Sequence, residues 1–290
     1  MRSRIKHRWT QVYTGRVMKP EPILTTEDRR IWENWCMAAR LHARTKLHKR
    51  RVERALADVE RFSCQTERPY VAWSGGKDST AMTHLACVLG GHQDWRVLSI
   101  KDDLDFPGEE EYVLGLGKEW GLQRLDVVHP AFSLQGWIAE HLDTMEIGQD
   151  VHARTAGLSR AAFYPLIDEY ADGIDADGVL LGLRAEESPG RRMNRASRGT
   201  VYAHSDGRLR CTPVADWKAL DVYGYLLTHD IDPLHVYRCC GLAVSPGDVR
   251  KSWWFPGAHV NYGATVWLRT YYPSLYHKLC GIWPIAGSRA

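Results

Sequence analysis

A six-residue segment between an apolar run and a helix-compatible stretch constrains the fold of this chain most. Residues 74–79 read Ser-Gly-Gly-Lys-Asp-Ser, after the apolar residues 70–73 and before a stretch that runs from Thr80 to Leu89. Two adjacent glycines allow a tight turn that brings bare N–H groups close to an anion. A helix that begins there adds its unpaired first-turn donors and the positive end of its dipole. The order of strand, glycine turn and helix therefore predicts a phosphate cradle.

Each residue type in this segment suits such a cradle. The backbone of Gly75 and Gly76 would approach the phosphate, and Lys77 would place a mobile charge on its oxygens from an exposed position. Hydroxyl hydrogen bonds would come from Ser74 and Ser79. Asp78 is a candidate to cap the helix or to hold a magnesium ion. The spacing matches neither the Walker pattern nor the dinucleotide pattern, and the alternative is an ordinary Gly-Gly turn.

From residue 70 onward, strand-like and helix-like segments alternate along the chain. This order predicts an α/β fold with a doubly wound, mostly parallel sheet that helices cover on both faces. Ligands in such sheets lie beyond the carboxyl ends of the strands, which is where the cradle falls. The predicted strands are 70–73, 96–100, 124–128 and 178–182, and the predicted helices are 79–89, 109–120 and parts of 131–172.

The first 62 residues differ from the rest in charge. They hold sixteen Lys/Arg and seven Asp/Glu, a balance of +9, so the remaining residues carry −6 of the overall +3. Residues 1–24 resemble an extended arm, and a helical run, with a possible break, extends from Thr25 or Thr26 to Phe62. We predict a basic helical extension over 1–62, a nucleotide-binding domain over 63–240 and an aromatic-rich tail over 241–290. The basic helix either binds a nucleic acid or is a solvated charged face.

Composition sets the broad class of the protein. Its 290 residues are 44% hydrophobic and 25% charged, which is typical of a soluble globular chain. No apolar run approaches the roughly 20 residues of a membrane span, and the first residues lack the apolar core of a signal peptide. We therefore expect a cytoplasmic protein with no membrane partner. Its seven cysteines are then expected to be thiols or metal ligands rather than disulfides.

Four ordered segments resemble a known family. Residues 74–79 resemble the pyrophosphate loop of the PP-loop superfamily, the ATP pyrophosphatases or adenine nucleotide α-hydrolases. Residues 102–110, Asp-Asp-Leu-Asp-Phe-Pro-Gly-Glu-Glu, are similar to the Asp-Thr-Gly…Phe-Pro-Glu-Thr segment of phosphoadenosine phosphosulfate (PAPS) reductases, without its threonine and glycine. Residues 182–192, Gly-Leu-Arg-Ala-Glu-Glu-Ser-Pro-Gly-Arg-Arg, and residues 212–225, which include Pro-Val-Ala-Asp-Trp and Asp-Val-Tyr-Gly-Tyr, resemble later segments of the same family.

The resemblance implies the adenine nucleotide α-hydrolase (HUP-like) fold, with ATP or PAPS across the carboxyl edge of the sheet. It adds nucleotide-binding candidates beyond the loop: Asp102, Gly182, Arg184, Glu187, Ser188 and Arg191. The planar guanidinium of Arg184 suits phosphate or sulfate, and we predict catalytic roles for Lys77 and Arg184. Trp217 and Tyr225 are expected to be core residues, and Asp221 is expected to cap or pair structurally.

Cysteines mark where the chain departs from the family. Sulfonucleotide reductases attack sulfur with a cysteine in Glu-Cys-Gly-hydrophobic-His, whereas here Cys280-Gly-Ile is flanked by Leu279 and Trp283. Cys280 is thus either a nucleophile or a packed thiol of the aromatic tail. Cys239-Cys240 is similar to the pair that binds an iron–sulfur cluster in some of these reductases, but their later Cys-x-x-Cys is missing. A cluster would need two more thiolates, such as Cys211 and Cys280.

Three functional hypotheses follow from these observations. The first is cleavage of ATP between its α- and β-phosphates, with magnesium, to adenylate an acceptor for sulfur or nitrogen transfer. The acceptor could be a nucleic acid bound by the basic helix, and a sulfur-donor protein is a possible partner. The second hypothesis is a sulfonucleotide reductase that uses Cys280, and the third is a nucleotide-binding module without turnover.

Overall fold

The computed structural model describes residues 12–13, 16–17, 21–103, 105–130, 133, 136, 140, 164–242, 244–249, 251 and 262–282. The strands are β1 Val12–Tyr13, β2 Arg16–Val17, β3 Pro69–Ala72, β4 Arg96–Ile100, β5 Arg124–Val128, β6 Gly178–Leu181, β7 Val201–Ala203 and β8 Leu209–Cys211. The helices are α1 Thr26–Ala43, α2 Lys46–Ser63, α3 Lys77–Thr83, α4 Glu109–Glu119, α5 Tyr164–Gly173, α6 Pro189–Arg198, α7 Ala219–Thr228, α8 Tyr262–Tyr271 and α9 Pro273–Ile282. A π-helical turn, His84–Leu89, and two 3-10 turns, Ala185–Glu187 and His235–Arg238, complete the described elements.

A six-stranded sheet forms the centre, in the order β5-β4-β3-β6-β8-β7. All neighbouring strands are parallel except the edge pair β7–β8. The chain moves from β3 outward to β5 and then returns to place β6 on the other side of β3. A ligand crevice in such a sheet opens beyond the carboxyl ends of the strands at this switch point. The mostly parallel α/β sheet is therefore confirmed.

Local sequence explains the boundaries of the elements near the cradle. Each of the four predicted strands lies within one residue of an observed strand. The helix predicted for 79–89 begins at Lys77, and its last six residues widen into the π-helical turn. There the Gly90 N–H donates to the Leu85 carbonyl at 2.9 Å, five residues back. The helix predicted at 109–120 is α4, whereas most of the predicted 131–172 region lies outside the described residues.

The N-terminal region forms two helices, as the predicted break requires. Thr25 caps α1 in a capping box with Asp28, and Thr45 caps α2 after a short turn. Helix α1 packs closely on α7, because a Cβ at Gly224 would lie 3.0 Å from the Ala39 carbonyl oxygen. Helix α2 packs on the sheet side through Val52, Ala55, Leu56 and Val59, which recur at helical spacing.

The C-terminal helices pack into the same core as α1 and α7. Trp267, Tyr271 and Tyr272 are fully buried in one apolar cluster with Ala39 and Tyr223. The side chain of Asp28 in α1 accepts hydrogen bonds from the Cys240 N–H and the Tyr271 hydroxyl, both at 2.8 Å. The aromatic side chains in the described part of 241–290 thus pack on the rest of the protein, whereas the three domain boundaries stay a prediction.

No helix in the described part of the chain is both long enough and apolar enough to cross a membrane.

Candidate functional site

The predicted cradle lies at the switch point, between β3 and α3. Gly75 has φ +79°, a conformation that favours glycine, and Gly76 precedes the first residue of α3. Gly182, just beyond β6, lies against the start of α3, because a Cβ there would be 2.6 Å from Ser79 Cα and 2.7 Å from Ser79 N. The sequence therefore brings the loop and the end of β6 together through a glycine that leaves room for the helix backbone.

Lys77 is buried in the cradle, with 2% of its surface exposed, so the expectation of an exposed lysine is wrong. Its Nζ donates to the Val249 carbonyl at 3.3 Å and lies 3.3 Å from Asp78 Oδ2. The ammonium also lies 5.0 Å from the centre of the Tyr237 ring. Burial lowers the pKa of Lys77, although the carboxylate of Asp78 acts against that shift. Tyr237 and the 244–249 segment cover the Lys77 side chain. Local sequence patterns could not predict this contact.

Two backbone donors of the loop face side-chain oxygens. The Lys77 N–H donates to the Tyr237 hydroxyl at 2.9 Å, and the Gly76 N–H donates to Ser74 Oγ at 3.3 Å. Ser74 Oγ also lies 3.0 Å from Ser79 Oγ. Phosphate oxygens accept hydrogen bonds as these hydroxyl oxygens do. The arrangement therefore holds N–H and O–H donors together in the geometry of a small anion site.

Arg184 joins the cradle from the end of β6. Its Nε lies 2.6 Å from Asp78 Oδ1 without the alignment of a hydrogen bond, and its other nitrogens face Glu186 and Glu187. Burial acts to lower the pKa of Arg184, but these three carboxylates outweigh it and raise the pKa. The guanidinium is thus a fixed, permanent charge next to Lys77, held by acids that a phosphate can replace as partners.

A second group of charged side chains contacts the backbone of the loop at Ser74. Its lysines, Lys101 and Lys251, belong to none of the sequence motifs. Lys101 Nζ donates to Glu109 Oε1 at 2.6 Å and lies 3.5 Å from the Ser74 carbonyl oxygen. Lys251 Nζ donates to the same carbonyl at 2.8 Å and pairs with Glu109. Burial lowers the pKa of Lys101 and raises the pKa of Glu109. Lys101 directly follows β4, so its position at the carboxyl edge was the one available signal.

The remaining predicted nucleotide residues surround this centre. Asp102 follows β4, and its N–H donates to Asp105 Oδ2 at 3.2 Å. Ser188 caps α6 by accepting from the Arg191 N–H at 3.2 Å, and the Arg191 guanidinium pairs with Glu187. The structure thus places Glu187, Ser188 and Arg191 beside Arg184, and Asp102 after the strand next to β3.

A match to a family model shows which protein family the chain belongs to. The phosphoadenosine phosphosulfate reductase domain matches residues 68–240, which is more than half of the chain. The chain belongs to this family. The resemblance drawn from the four ordered segments is therefore confirmed, together with the fold that it implies. An adenine-nucleotide-binding protein is the general function that this membership supports.

Solved structures of low identity are also similar to the chain. A Candida auris phosphoadenylyl-sulfate (PAPS) reductase in a phosphate complex is 16% identical, with a TM-score of 0.45, over 64% of this chain and 85% of that chain. A Candida glabrata FMN adenylyltransferase in complex with ATP is 12% identical, with a TM-score of 0.42, over 72% and 67%. The same enzyme with FAD and inorganic pyrophosphate is 10% identical, with a TM-score of 0.46, over 72% and 68%. No curated protein matches the chain.

The cysteines that could link the chain to the reductases of the family lie in packed surroundings. Cys239 and Cys240 are fully buried, and burial raises the pKa of Cys240 to about 12. Cys211 lies in a different apolar cluster, where its Sγ is 3.7 Å from the Asp58 carbonyl oxygen. Cys280 is half-buried against the cluster that contains Cys239. An iron–sulfur cluster and a nucleophilic role for Cys280 both stay predictions.

Proposed function

We propose that this protein binds ATP at Ser74–Ser79 and cleaves it between the α- and β-phosphates, transferring the adenylyl group to an acceptor oxygen. The observation that carries the proposal is the convergence of three cradle features at one sheet edge. These are the backbone donors of Gly76 and Lys77, the buried ammonium of Lys77, and the Arg184 guanidinium 2.6 Å from Asp78. Together they suit a pyrophosphate held next to a reacting α-phosphate.

The residues divide the work of such a transfer. The acceptor oxygen forms a bond to the α-phosphorus while the bond to the bridging oxygen of the β-phosphate breaks, and pyrophosphate leaves with that electron pair. The loop donors and Lys77 bind the departing pyrophosphate, whose negative charge grows in this step. Arg184 is placed to stabilise charge on the α-phosphate, because preorganised donors in a dry site lower such barriers most. The acceptor hydroxyl must lose its proton to a base or to solvent.

Magnesium fits poorly at Asp78. One carboxylate oxygen faces Arg184 and the other lies 3.3 Å from Lys77 Nζ, so a cation held there would meet two positive charges. Magnesium is commonly bound through nucleotide phosphates and water with few protein ligands. Asp78 therefore holds no metal in the proposed transfer. These residues instead accommodate a magnesium ion that enters bound to the phosphates of ATP.

Product analysis tests the proposal. We expect incubation with ATP, magnesium and a nucleophilic acceptor such as hydroxylamine to release pyrophosphate and form an AMP adduct, both visible by mass spectrometry. The Lys77→Met variant should lose this product, whereas Lys118→Met, an exposed lysine on α4, should retain it. Binding of ATP without any pyrophosphate would contradict turnover and favour a nucleotide-binding module.

A sulfonucleotide reductase is the second candidate, because one contact brings α9 to the nucleotide edge. Lys278, which lies two residues before Cys280, donates to the carbonyl of Asp103, just after β4. In that reaction the Cys280 thiolate would attack the sulfonate sulfur of PAPS and expel the nucleotide. An external dithiol such as reduced thioredoxin would then release sulfite and become a disulfide. If the unaltered chain releases sulfite from PAPS and Cys280→Ser does not, this candidate replaces the adenylation proposal.

An arginine-lined cleft supports a nucleic acid as the acceptor. The cleft between α2 and α6 has a volume of about 690 Å³ and is lined by Arg54, Arg61, Arg195 and Arg198. Arg61 and Arg195 are paired with Asp58 and Asp216, whereas Arg198 lies over the Tyr202 ring at 5.7 Å. Such clefts bind phosphodiester backbones through salt-sensitive contacts.

Helix α6 links this cleft to the nucleotide site. Arg191, Arg195 and Arg198 follow one another at helical spacings of four and three residues, so they lie along one face of α6. Arg191 stands beside Glu187 at the nucleotide end, and Arg198 stands at the cleft. A polynucleotide that follows this row of guanidinium groups would reach from the basic N-terminal helices to the proposed α-phosphate position.

Charge reversal tests the acceptor separately from nucleotide binding. We expect fluorescence anisotropy to show that Arg54→Glu and Arg198→Glu each weaken binding of labelled RNA or single-stranded DNA several-fold and reduce the salt slope by about one. ATP binding should stay unchanged. Arg29→Glu, with an exposed arginine on α1, is the control for net charge. Equal weakening in all three variants would show only general electrostatics and contradict the cleft, and comparison of RNA with DNA would identify the substrate type.

A further inference from the structure

A buried group of two histidines and one aspartate lies outside the proposed nucleotide site. His42, His48 and Asp221 each offer one ligand atom, and these three atoms lie within 4.8 Å of one another. His42 Nε2 is 2.8 Å from Asp221 Oδ1, and His48 Nδ1 is 3.2 Å from the same oxygen. It is the one group of three or more His, Cys, Asp or Glu residues with metal-ligand spacing within the part of the chain that the structure describes.

The fold fixes both imidazoles from one short turn. His42 lies in the last turn of α1 and His48 in the first turn of α2, so the chain reverses between them. Thr45 sets this turn, because its hydroxyl donates to the His42 carbonyl at 2.7 Å and accepts from the His48 N–H at 3.2 Å. The two rings meet edge to face with centres 5.6 Å apart. The pair is therefore positioned by backbone caps rather than by the carboxylate alone.

The carboxylate of Asp221 has one oxygen for structure and one for the histidines. Oδ2 accepts from the Lys218 N–H at 2.7 Å and from Arg51 at 2.5 Å, whereas Oδ1 faces both imidazoles. The group is thus fully buried and oriented by hydrogen bonds, as ligating carboxylates commonly are.

We propose that His42 Nε2, His48 Nδ1 and Asp221 Oδ1 bind a zinc ion that ties the α1–α2 helices to α7. Zinc takes nitrogen and oxygen ligands at about 2.0–2.2 Å in tetrahedral sites, which requires ligand atoms roughly 3.3 Å apart. The observed separations of 2.8 and 3.2 Å from Oδ1 are close to that spacing. Zinc binding requires an unprotonated ligating nitrogen on each ring, so the single ring proton would then lie on His42 Nδ1 and on His48 Nε2. A water molecule would complete the coordination on the side of His42, whose side chain is 21% exposed.

This site differs in purpose from the nucleotide cradle. Its three residues come from three helices, and α1 makes extensive contact with α7, so a metal would strengthen an existing junction. The positive charge of Arg51 next to Oδ2 opposes a cation, and it balances the carboxylate when no metal is bound. We therefore expect a zinc ion with three protein ligands and one water molecule that raises the melting temperature without being required for nucleotide binding.

Metal titration of the full chain tests the proposal. After dialysis against a chelator, we expect the protein to bind one equivalent of Zn²⁺ in competition with a chromophoric chelator. Co²⁺ should give a visible ligand-field spectrum without a thiolate charge-transfer band. His42→Ala and His48→Ala should each weaken zinc binding by roughly 100-fold or more, since loss of an outer-shell partner alone costs about 10- to 100-fold. His204→Ala, which removes a half-buried histidine paired with Asp206 at 3.2 Å, should bind as the unaltered chain does.

Further measurements keep the test independent of folding. Circular dichroism of the metal-free variants reports whether they fold. If His48→Ala does not fold, His42→Ala, at the half-buried position, provides the test. Zinc should raise the melting temperature of the unaltered chain and not that of His42→Ala. No stoichiometric binding, binding that survives the His42 substitution, or a thiolate band would overturn the proposal and leave a purely hydrogen-bonded cluster.

Discussion

Replacing Lys77 by methionine separates the role of its charge from its role in packing. Lys77 is buried, and within the described part of the chain its ammonium has two polar contacts, the Val249 carbonyl and Asp78, both at 3.3 Å. A methionine has a similar length and needs no partner. Asp78 keeps Arg184 at 2.6 Å, so no carboxylate is left unpaired. We therefore expect the free energy of unfolding to change by less than about 1.5 kcal/mol.

The effect on nucleotide binding should be much larger. A charge-assisted hydrogen bond contributes about 1.5–3 kcal/mol, so the Kd for ATP should rise roughly 10- to 150-fold. Calorimetric titration of ATP with magnesium measures this change, and urea unfolding measures stability. Lys118→Met on the exposed face of α4 is the matched control and should change neither quantity. Equal ATP affinities for the unaltered chain and Lys77→Met would refute the role of Lys77 and reduce residues 74–79 to a structural turn.

Three further predictions concern the same site. Burial lowers the pKa of free Lys77 and bound phosphates would raise it again, so ATP binding should take up a proton at alkaline pH. Affinity should then fall as pH rises between the two pKa values, measurable by calorimetry in buffers of different ionisation enthalpy. Arg184→Lys should lower kcat for pyrophosphate release about tenfold or more, with a smaller change in KM, because lysine lacks the planar fork. Gly182→Ala should cost about 1–3 kcal/mol in urea unfolding, since its Cβ would lie 2.6 Å from Ser79 Cα, whereas Gly190→Ala has nothing within 4 Å and should not destabilise.

Local patterns predicted the parts of the fold that depend on neighbouring residues. Strands β3 and β6 are short apolar runs, and β4 and β5 are short segments rich in Val, Leu and Ile; both signals are local. The glycine loop and the Gly-Leu-Arg segment that begins at Gly182 follow directly from two of these strands. Their meeting at one edge could be predicted because parallel strands align their carboxyl ends. Asp221 was expected to cap or pair, and it does both through Lys218 and Arg51.

Features that depend on distant segments could not be predicted from such patterns. The burial of Lys77 requires Tyr237 and Val249 to cover it, and these residues lie 160 and 172 positions later in the chain. The support from Lys251 likewise requires the chain to return to the loop after 177 residues. No local period reports such contacts, because they depend on how segments distant in the sequence pack together. For the same reason His42 and His48 gave no signal before Asp221 was seen beside them.

Lys101 and Lys251 explain how the hydrogen-bond donors of the cradle are held in place. The Ser74 carbonyl oxygen lies 2.8 Å from Lys251 Nζ and 3.5 Å from Lys101 Nζ. In a trans peptide the C=O and the following N–H point in opposite directions, so fixing this carbonyl turns the Gly75 N–H away from the lysines. Glu109 Oε1 pairs with both ammonium groups and limits their mutual repulsion. The orientation of a donor in the loop is thus set by charges that need never touch the nucleotide, and a loop held in this way loses little entropy when an anion binds.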